Sequence, residues 1–139
     1  MMQDSNQNEF LNYRIKHANY TITNIEQTLK FYNEAFGMRL LNRVDADDLR
    51  ISLIFIGYGD IEKTTTLELT YNWDTKPLQF GVGYKHICIG TDDILKAFDR
   101  AVNSGAVVVL RPFTPIYSNR QIAFVRDPDG YEIELMQDI

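Results

Sequence analysis

The chain repeats itself. Lys16-His17 is followed, eight residues after the histidine, by Ile25, and Lys85-His86 is followed at the same distance by Ile94. These are its only two histidines. Self-similarity at a long period restricts a fold more than any local pattern does, because it makes the architecture two copies of one supersecondary unit.

The local patterns agree with that division. From Asn24 to Phe36, Ile25, Leu29, Tyr32 and Phe36 recur at helical spacing, with Thr23 or Asn24 as N-cap and Gly37 in the C′ position. From Asp92 to Ser104, Ile94, Phe98, Ala101 and Val102 repeat the pattern, with Asp92 placed to cap and Gly105 to terminate. Each helix is followed by three segments of strand character. These are Arg39 to Val44, Arg50 to Gly57 and Thr65 to Tyr71, then Val107 to Arg111, Gln121 to Arg126 and Tyr131 to Met136. Gly57-Tyr58-Gly59-Asp60 and Asp127-Pro128-Asp129-Gly130 punctuate the last two strands of each half with turn-forming residues.

With one strand ahead of each helix, both halves read βαβββ, an α+β fold of two repeats forming curved mixed sheets. At 139 residues and 45% apolar the chain suits one domain. The expected division is a flexible tail over 1–12 and a single domain over 13–139. Its repeats span about 13–71 and 84–137, joined by the aperiodic stretch from Asn72 to Gly83.

Strand alternation then singles out four side chains. In the first strand Ala18, Tyr20 and Ile22 alternate with His17, Asn19 and Thr21, so His17 faces away from the helix. Glu68 lies between Leu67 and Leu69, His86 and Cys88 oppose Ile87 and Ile89, and Glu134 lies between Ile133 and Leu135. The His-to-Glu separations, 51 and 48 positions, are nearly equal. A strand His or a sandwiched Glu is by itself usually a solvated side chain. Two of each at equivalent places in a duplicated unit point to a metal site. Imidazole with carboxylate suits Zn²⁺, Ni²⁺, Co²⁺ or Fe²⁺, where an all-oxygen set would suit Mg²⁺ or Ca²⁺.

Composition removes other classes. The net charge of −5 and the absence of any Lys/Arg concentration argue against a nucleic-acid binder. No apolar run approaches the roughly 20 residues of a membrane span, and the polar stretch from Met1 to Asn12 has no signal-peptide character. The single cysteine, Cys88, fits a reducing compartment and reads as a small buried hydrophobe. The expected location is the cytoplasm, and the expected partner a small molecule.

Several stretches resemble the vicinal-oxygen-chelate superfamily, and within it the short bacterial form of glyoxalase I, or lactoylglutathione lyase. They are Lys30-Phe31-Tyr32 with Phe36-Gly37-Met38-Arg39-Leu40, Phe55-Ile56-Gly57-Tyr58-Gly59, Leu67-Glu68-Leu69-Thr70-Tyr71-Asn72-Trp73, and Ala123-Phe124-Val125 through Asp127-Pro128-Asp129-Gly130-Tyr131 to Ile133-Glu134-Leu135. The resemblance covers about Ile15 to Gln137. It implies His17, Glu68, His86 and Glu134 as ligands of one divalent metal per site, Ni²⁺ or alternatively Co²⁺ or Zn²⁺. It also implies a homodimer whose two sites each take the first His and Glu from one subunit and the second pair from the other. The implied reaction isomerises the hemithioacetal of methylglyoxal and glutathione to S-lactoylglutathione through an enediolate. Glu134 is the implied catalytic acid-base, and Glu68 serves the other enantiomer. Asn72 matches a glutathione-contacting position.

Thr21 departs from the pattern, since these enzymes usually carry there an arginine that binds a glutathione carboxylate. Lys85, where glycine commonly precedes the second His, is a second departure, and Lys85 or Arg120 is a candidate replacement cation. Thr21 therefore keeps open a glyoxalase that prefers another thiol. The same scaffold also hosts extradiol dioxygenases and methylmalonyl-CoA epimerases, both disfavoured by Glu68, and metal-free proteins that sequester small toxic compounds.

Overall fold

The computed structural model describes residues 11–138. The stretch expected to be a flexible tail lies, apart from Leu11 and Asn12, outside the described residues. The elements run β1 (His17–Ile22), α1 (Ile25–Phe36), β2 (Arg39–Ala46), β3 (Ile51–Gly57), β4 (Thr66–Asn72), β5 (Ile87–Thr91), α2 (Ile94–Asn103), β6 (Val107–Phe113), β7 (Ile122–Arg126) and β8 (Glu132–Gln137). They form two four-stranded sheets of the same order, β1-β4-β3-β2 and β5-β8-β7-β6. In each, the first strand pairs in parallel with the last and the other pairings are antiparallel. Two βαβββ units are what the duplicated pattern requires.

Each helix exists because its ends are satisfied and one face is apolar. Asn24 caps α1, its side chain accepting from the Gln27 N–H at 2.9 Å. Gly37 takes φ +69° and donates to the Asn33 carbonyl while Met38 N–H bonds that of Tyr32, a left-handed stop that glycine adopts without strain. Thr23, the other candidate cap, is engaged elsewhere, with both its N–H and its hydroxyl on Asp129. In α2 the cap is Asp93, accepting from Lys96 N–H at 3.1 Å, one residue after the expected Asp92. The buried stripe of α1 also differs from the simplest reading. Thr28, Phe31, Tyr32 and Ala35 are fully buried, while Ile25, Leu29 and Phe36 only flank the core. Apolar residues two positions wide on either side of a stripe do not reveal its centre.

The two units share one core, which contains Tyr20, Ile54, Ile56, Leu69, Ile133 and Leu135. Tyr20 of β1 stacks on Tyr131 at 4.6 Å, and the Tyr131 hydroxyl donates to the Thr21 carbonyl at 2.6 Å. Asp127 pins the turn before β8 to α1. Its Oδ1 accepts from the N–H groups of Asp129 and Tyr131, and its Oδ2 from the Tyr32 hydroxyl at 2.7 Å. These contacts fix the unit containing β1 and α1 against the unit containing β8.

Candidate metal centre

Parallel pairing brings the candidate ligands together two at a time. In the first sheet Asn19 is in register with Glu68, so His17, two residues earlier on the same face, reaches Glu68 across the strands. The His17 Nε2 to Glu68 Oε1 distance is 3.6 Å. In the second sheet Cys88 is in register with Glu134, and His86 Nε2 lies 3.5 Å from Glu134 Oε1. His86 sits one residue before β5, whereas His17 opens β1.

Register adds a residue to each pair that alternation had not marked. Phe55 of β3 pairs with Glu68, and Phe124 of β7 pairs with Glu134. Their rings meet the histidines edge-on, at 5.9 Å for His17 and 5.3 Å for His86. Each unit thus presents the same His, Glu and Phe cluster. Both phenylalanines lie in the stretches that carry the family resemblance, but only strand pairing places them beside the histidines.

Neither His–Glu approach is a hydrogen bond. The donor set and its spacing fit a shared ion, because two donors with bonds of about 2.1 Å to one metal lie roughly 3.0 to 3.5 Å apart. The pairs remain open, with the histidine side chains 39% and 34% exposed. Among the described residues no three His, Cys, Asp or Glu side chains are grouped closely enough to hold a metal. The structure therefore brings His17 to Glu68 and His86 to Glu134, and does not bring the two pairs together within the chain.

Cys88 is not the buried residue expected. It is exposed on the His86 face of β5, since in a strand a residue two along shares the face. Desolvation at its sulfur, and then the Glu134 carboxylate beside it, push its thiol up to about 12. It is a protonated neighbour of Glu134 rather than a thiolate.

Thr21 and Asn72 meet in one place, a cavity of about 390 Å³ whose walls include Asn19, Lys76, Phe80 and Tyr84. The cation at this cavity is Lys76, not Lys85 or Arg120. Arg120 instead lies 3.8 Å from Asp138, and Lys85 is an exposed residue outside the cavity lining. Lys76 escaped notice because its segment has no periodicity from which to place a side chain. Burial holds the phenols of Tyr84 and Tyr131, which also line the cavity, above their ordinary range, so they act there as neutral hydroxyls.

The arrangement has counterparts among known proteins. Residues 14–135 match the Glyoxalase/Bleomycin resistance protein/Dioxygenase superfamily. The chain is 42% identical over 124 residues to the lactoylglutathione lyase of Neisseria meningitidis serogroup B, covering 89% of this chain and 90% of that protein. It is 38% identical over 125 residues to the lactoylglutathione lyase of Haemophilus influenzae, covering 89% and 92%. Glyoxalase I from Zea mays superposes with a TM-score of 0.85 at 34% identity, over 90% of this chain but only 44% of the maize chain. The trypanothione-dependent glyoxalase I of Leishmania major superposes with a TM-score of 0.78 at 30% identity, over 90% and 86%. With the duplicated βαβββ fold, the superfamily match and relatives about 40% identical over some nine-tenths of both chains, the chain belongs to the Glyoxalase/Bleomycin resistance protein/Dioxygenase superfamily and, within it, to the lactoylglutathione lyases.

Proposed function

We propose that this protein is a cytoplasmic, metal-dependent glyoxalase I that isomerises the hemithioacetal of methylglyoxal and glutathione to S-lactoylglutathione, and that it works as a homodimer. The observation that carries the reading is the pair of matched half-sites. His17 with Glu68 and His86 with Glu134 have nearly the same spacing at equivalent places in the two sheets. A half-site of one subunit set against the other half-site of its partner makes a His₂Glu₂ set, twice per dimer.

The four donors would hold one divalent ion of the Ni²⁺, Co²⁺ or Zn²⁺ group, which when bound acidifies the hydrogen on C1 and offsets negative charge growing on the substrate oxygens. Glu134 takes the C1 proton on a carboxylate oxygen, leaving an enediolate, and returns that proton to C2. The hydroxyl proton on O1 passes to O2, so substrate and product are isomers and no oxidant or organic cofactor is consumed. Glu68 does the same for the opposite hemithioacetal enantiomer. Phe55 and Phe124 keep water from the inner side of each half-site, which strengthens the electrostatics there.

The cavity holding Thr21, Asn72 and Lys76 receives the thiol, with Asn72 donating to its peptide carbonyls and Lys76 facing its carboxylates. A second reading, a glyoxalase tuned to another thiol, draws on Thr21 in place of the usual arginine. The Leishmania relative, described as trypanothione-dependent, shows that a structural relative uses a different one.

The test is thioester formation, followed by ultraviolet absorbance, from methylglyoxal pre-equilibrated with glutathione, using metal-stripped protein reloaded with Ni²⁺, Co²⁺ or Zn²⁺. Activity that depends on reloading, and that falls by about 10² to 10⁴ in Glu134→Gln, is expected. Activity unchanged by stripping sinks the metal assignment, and no activity with glutathione despite stoichiometric metal uptake moves the reading to another thiol.

A further inference from the structure

The two half-sites match in His, Glu and Phe, but the side chains that touch the glutamates differ. Beside Glu68, Asn19 directs its amide into the site, with Nδ2 2.9 Å from Glu68 Oε1, 3.1 Å from the Glu68 carbonyl and 2.8 Å from Thr70 Oγ1. The amide orientation follows from this, because a flip would set its oxygen against a carboxylate and a carbonyl. The equivalent positions beside Glu134 are Cys88, in register with it, and Met136, two residues along β8. A thiol is a weak donor and a thioether donates nothing. Among the described residues no amide reaches the Glu134 carboxylate. Duplication has produced the same ligands twice and then set an amide donor against one glutamate and a thiol against the other.

We propose that Asn19 is a positioning residue that restrains Glu68, and that Cys88, at the equivalent place, leaves Glu134 the more mobile of the two carboxylates and so the faster proton carrier. This rests on the metal-dependent reading above and adds the reason why two glutamates of equivalent origin are not interchangeable. A hydrogen bond to an ionised carboxylate is among the stronger kinds and sets its rotamer. Partners that orient metal-binding side chains typically matter 10- to 100-fold for affinity. A carboxylate tied by an amide swings less readily toward a substrate carbon than one whose side-chain neighbour is a thiol, a much weaker donor.

The experiment titrates Co²⁺ into metal-stripped protein against a competing chelator, with the visible Co²⁺ spectrum as readout, and measures kcat on the same preparations. Asn19→Ala is expected to weaken Co²⁺ binding about tenfold with an unchanged thermal midpoint of the stripped protein. Cys88→Asn, which offers Glu134 the same donor, is expected to keep or strengthen Co²⁺ binding and to lower kcat about tenfold with little change in KM. Co²⁺ affinity within twofold of wild type in Asn19→Ala, or an unaltered kcat in Cys88→Asn that binds Co²⁺ normally, overturns the proposal and leaves the metal-dependent reading standing. Wild-type protein that takes no Co²⁺ overturns both. An Asn19→Ala protein that does not fold hands the decision to Cys88→Asn, which tests the same asymmetry from the other side.

Discussion

A threonine in place of an expected arginine changes what position 21 can do. Thr21 offers a hydroxyl where a charge would hold a carboxylate, and the nearest replacement at the same cavity is the Lys76 ammonium, brought there by the aperiodic segment after β4. A lysine is a mobile point charge, so it binds a carboxylate less specifically than a guanidinium fork does. Lys76→Ala is therefore expected to raise KM for the glutathione hemithioacetal about five- to tenfold and to leave kcat nearly unchanged, the mark of lost ground-state binding. Thr21→Arg is expected to lower that KM. Steady-state kinetics with glutathione decides it: KM unmoved by Lys76→Ala would mean that the thiol's carboxylates lie elsewhere. The four candidate ligands were legible in the sequence, since strand alternation and duplication mark them without a structure. Lys76, Asn19 and the two phenylalanines were not, because their roles depend on strand register and on an irregular loop, neither of which a single sequence fixes.

At the level of elements, capping and turn chemistry were read almost correctly, and the misses have local causes. Asp92 and Asp93 are both competent caps, and the phase of α2 selects Asp93, whose own N–H is taken by the Thr91 hydroxyl. The buried stripe of α1 centres on Thr28 and Phe31 because the helix packs on two units at once, a tertiary fact absent from its own periodicity. What couples the elements most directly is Asp127, buried between the turn before β8 and Tyr32 of α1. Burial pushes its carboxyl above its ordinary range, against the opposing pull of the Tyr32 hydroxyl and the turn N–H groups. A carboxyl whose folded-state pKa is raised holds its proton more tightly in the folded protein. Its contribution to stability is therefore complete below the unfolded value near 3.8 and is lost as pH rises through the folded value. Asp127→Asn cannot titrate. The stability of wild type relative to Asp127→Asn is expected to fall as pH rises across the mildly acidic range and then level off, measured by urea unfolding of both proteins. A difference that grows with pH would show that the hydrogen bonds outweigh burial.

For the whole molecule, the decisive fact is that neither half-site is complete. Each has one imidazole and one carboxylate, both partly open, and the chain's own fold keeps the two apart. The proposed closed homodimer would supply the missing half to both at once, because a two-fold axis that brings the first unit of one subunit to the second unit of the other necessarily does the converse. That symmetry makes a sharp forecast for mixed subunits. His17→Ala spoils the first half-site of its own chain and His86→Ala the second, so each homodimer has no intact site. In a heterodimer of the two, both lesions fall in one site, and the other draws His17 from the His86→Ala chain and His86 from the His17→Ala chain. Unfolding and refolding an equimolar mixture should put half the chains' pairings into heterodimers with one good site of two, restoring roughly a quarter of wild-type activity where each variant alone has almost none. A site built within one chain would give no recovery at any ratio, so the mixing curve distinguishes a shared centre from an internal one.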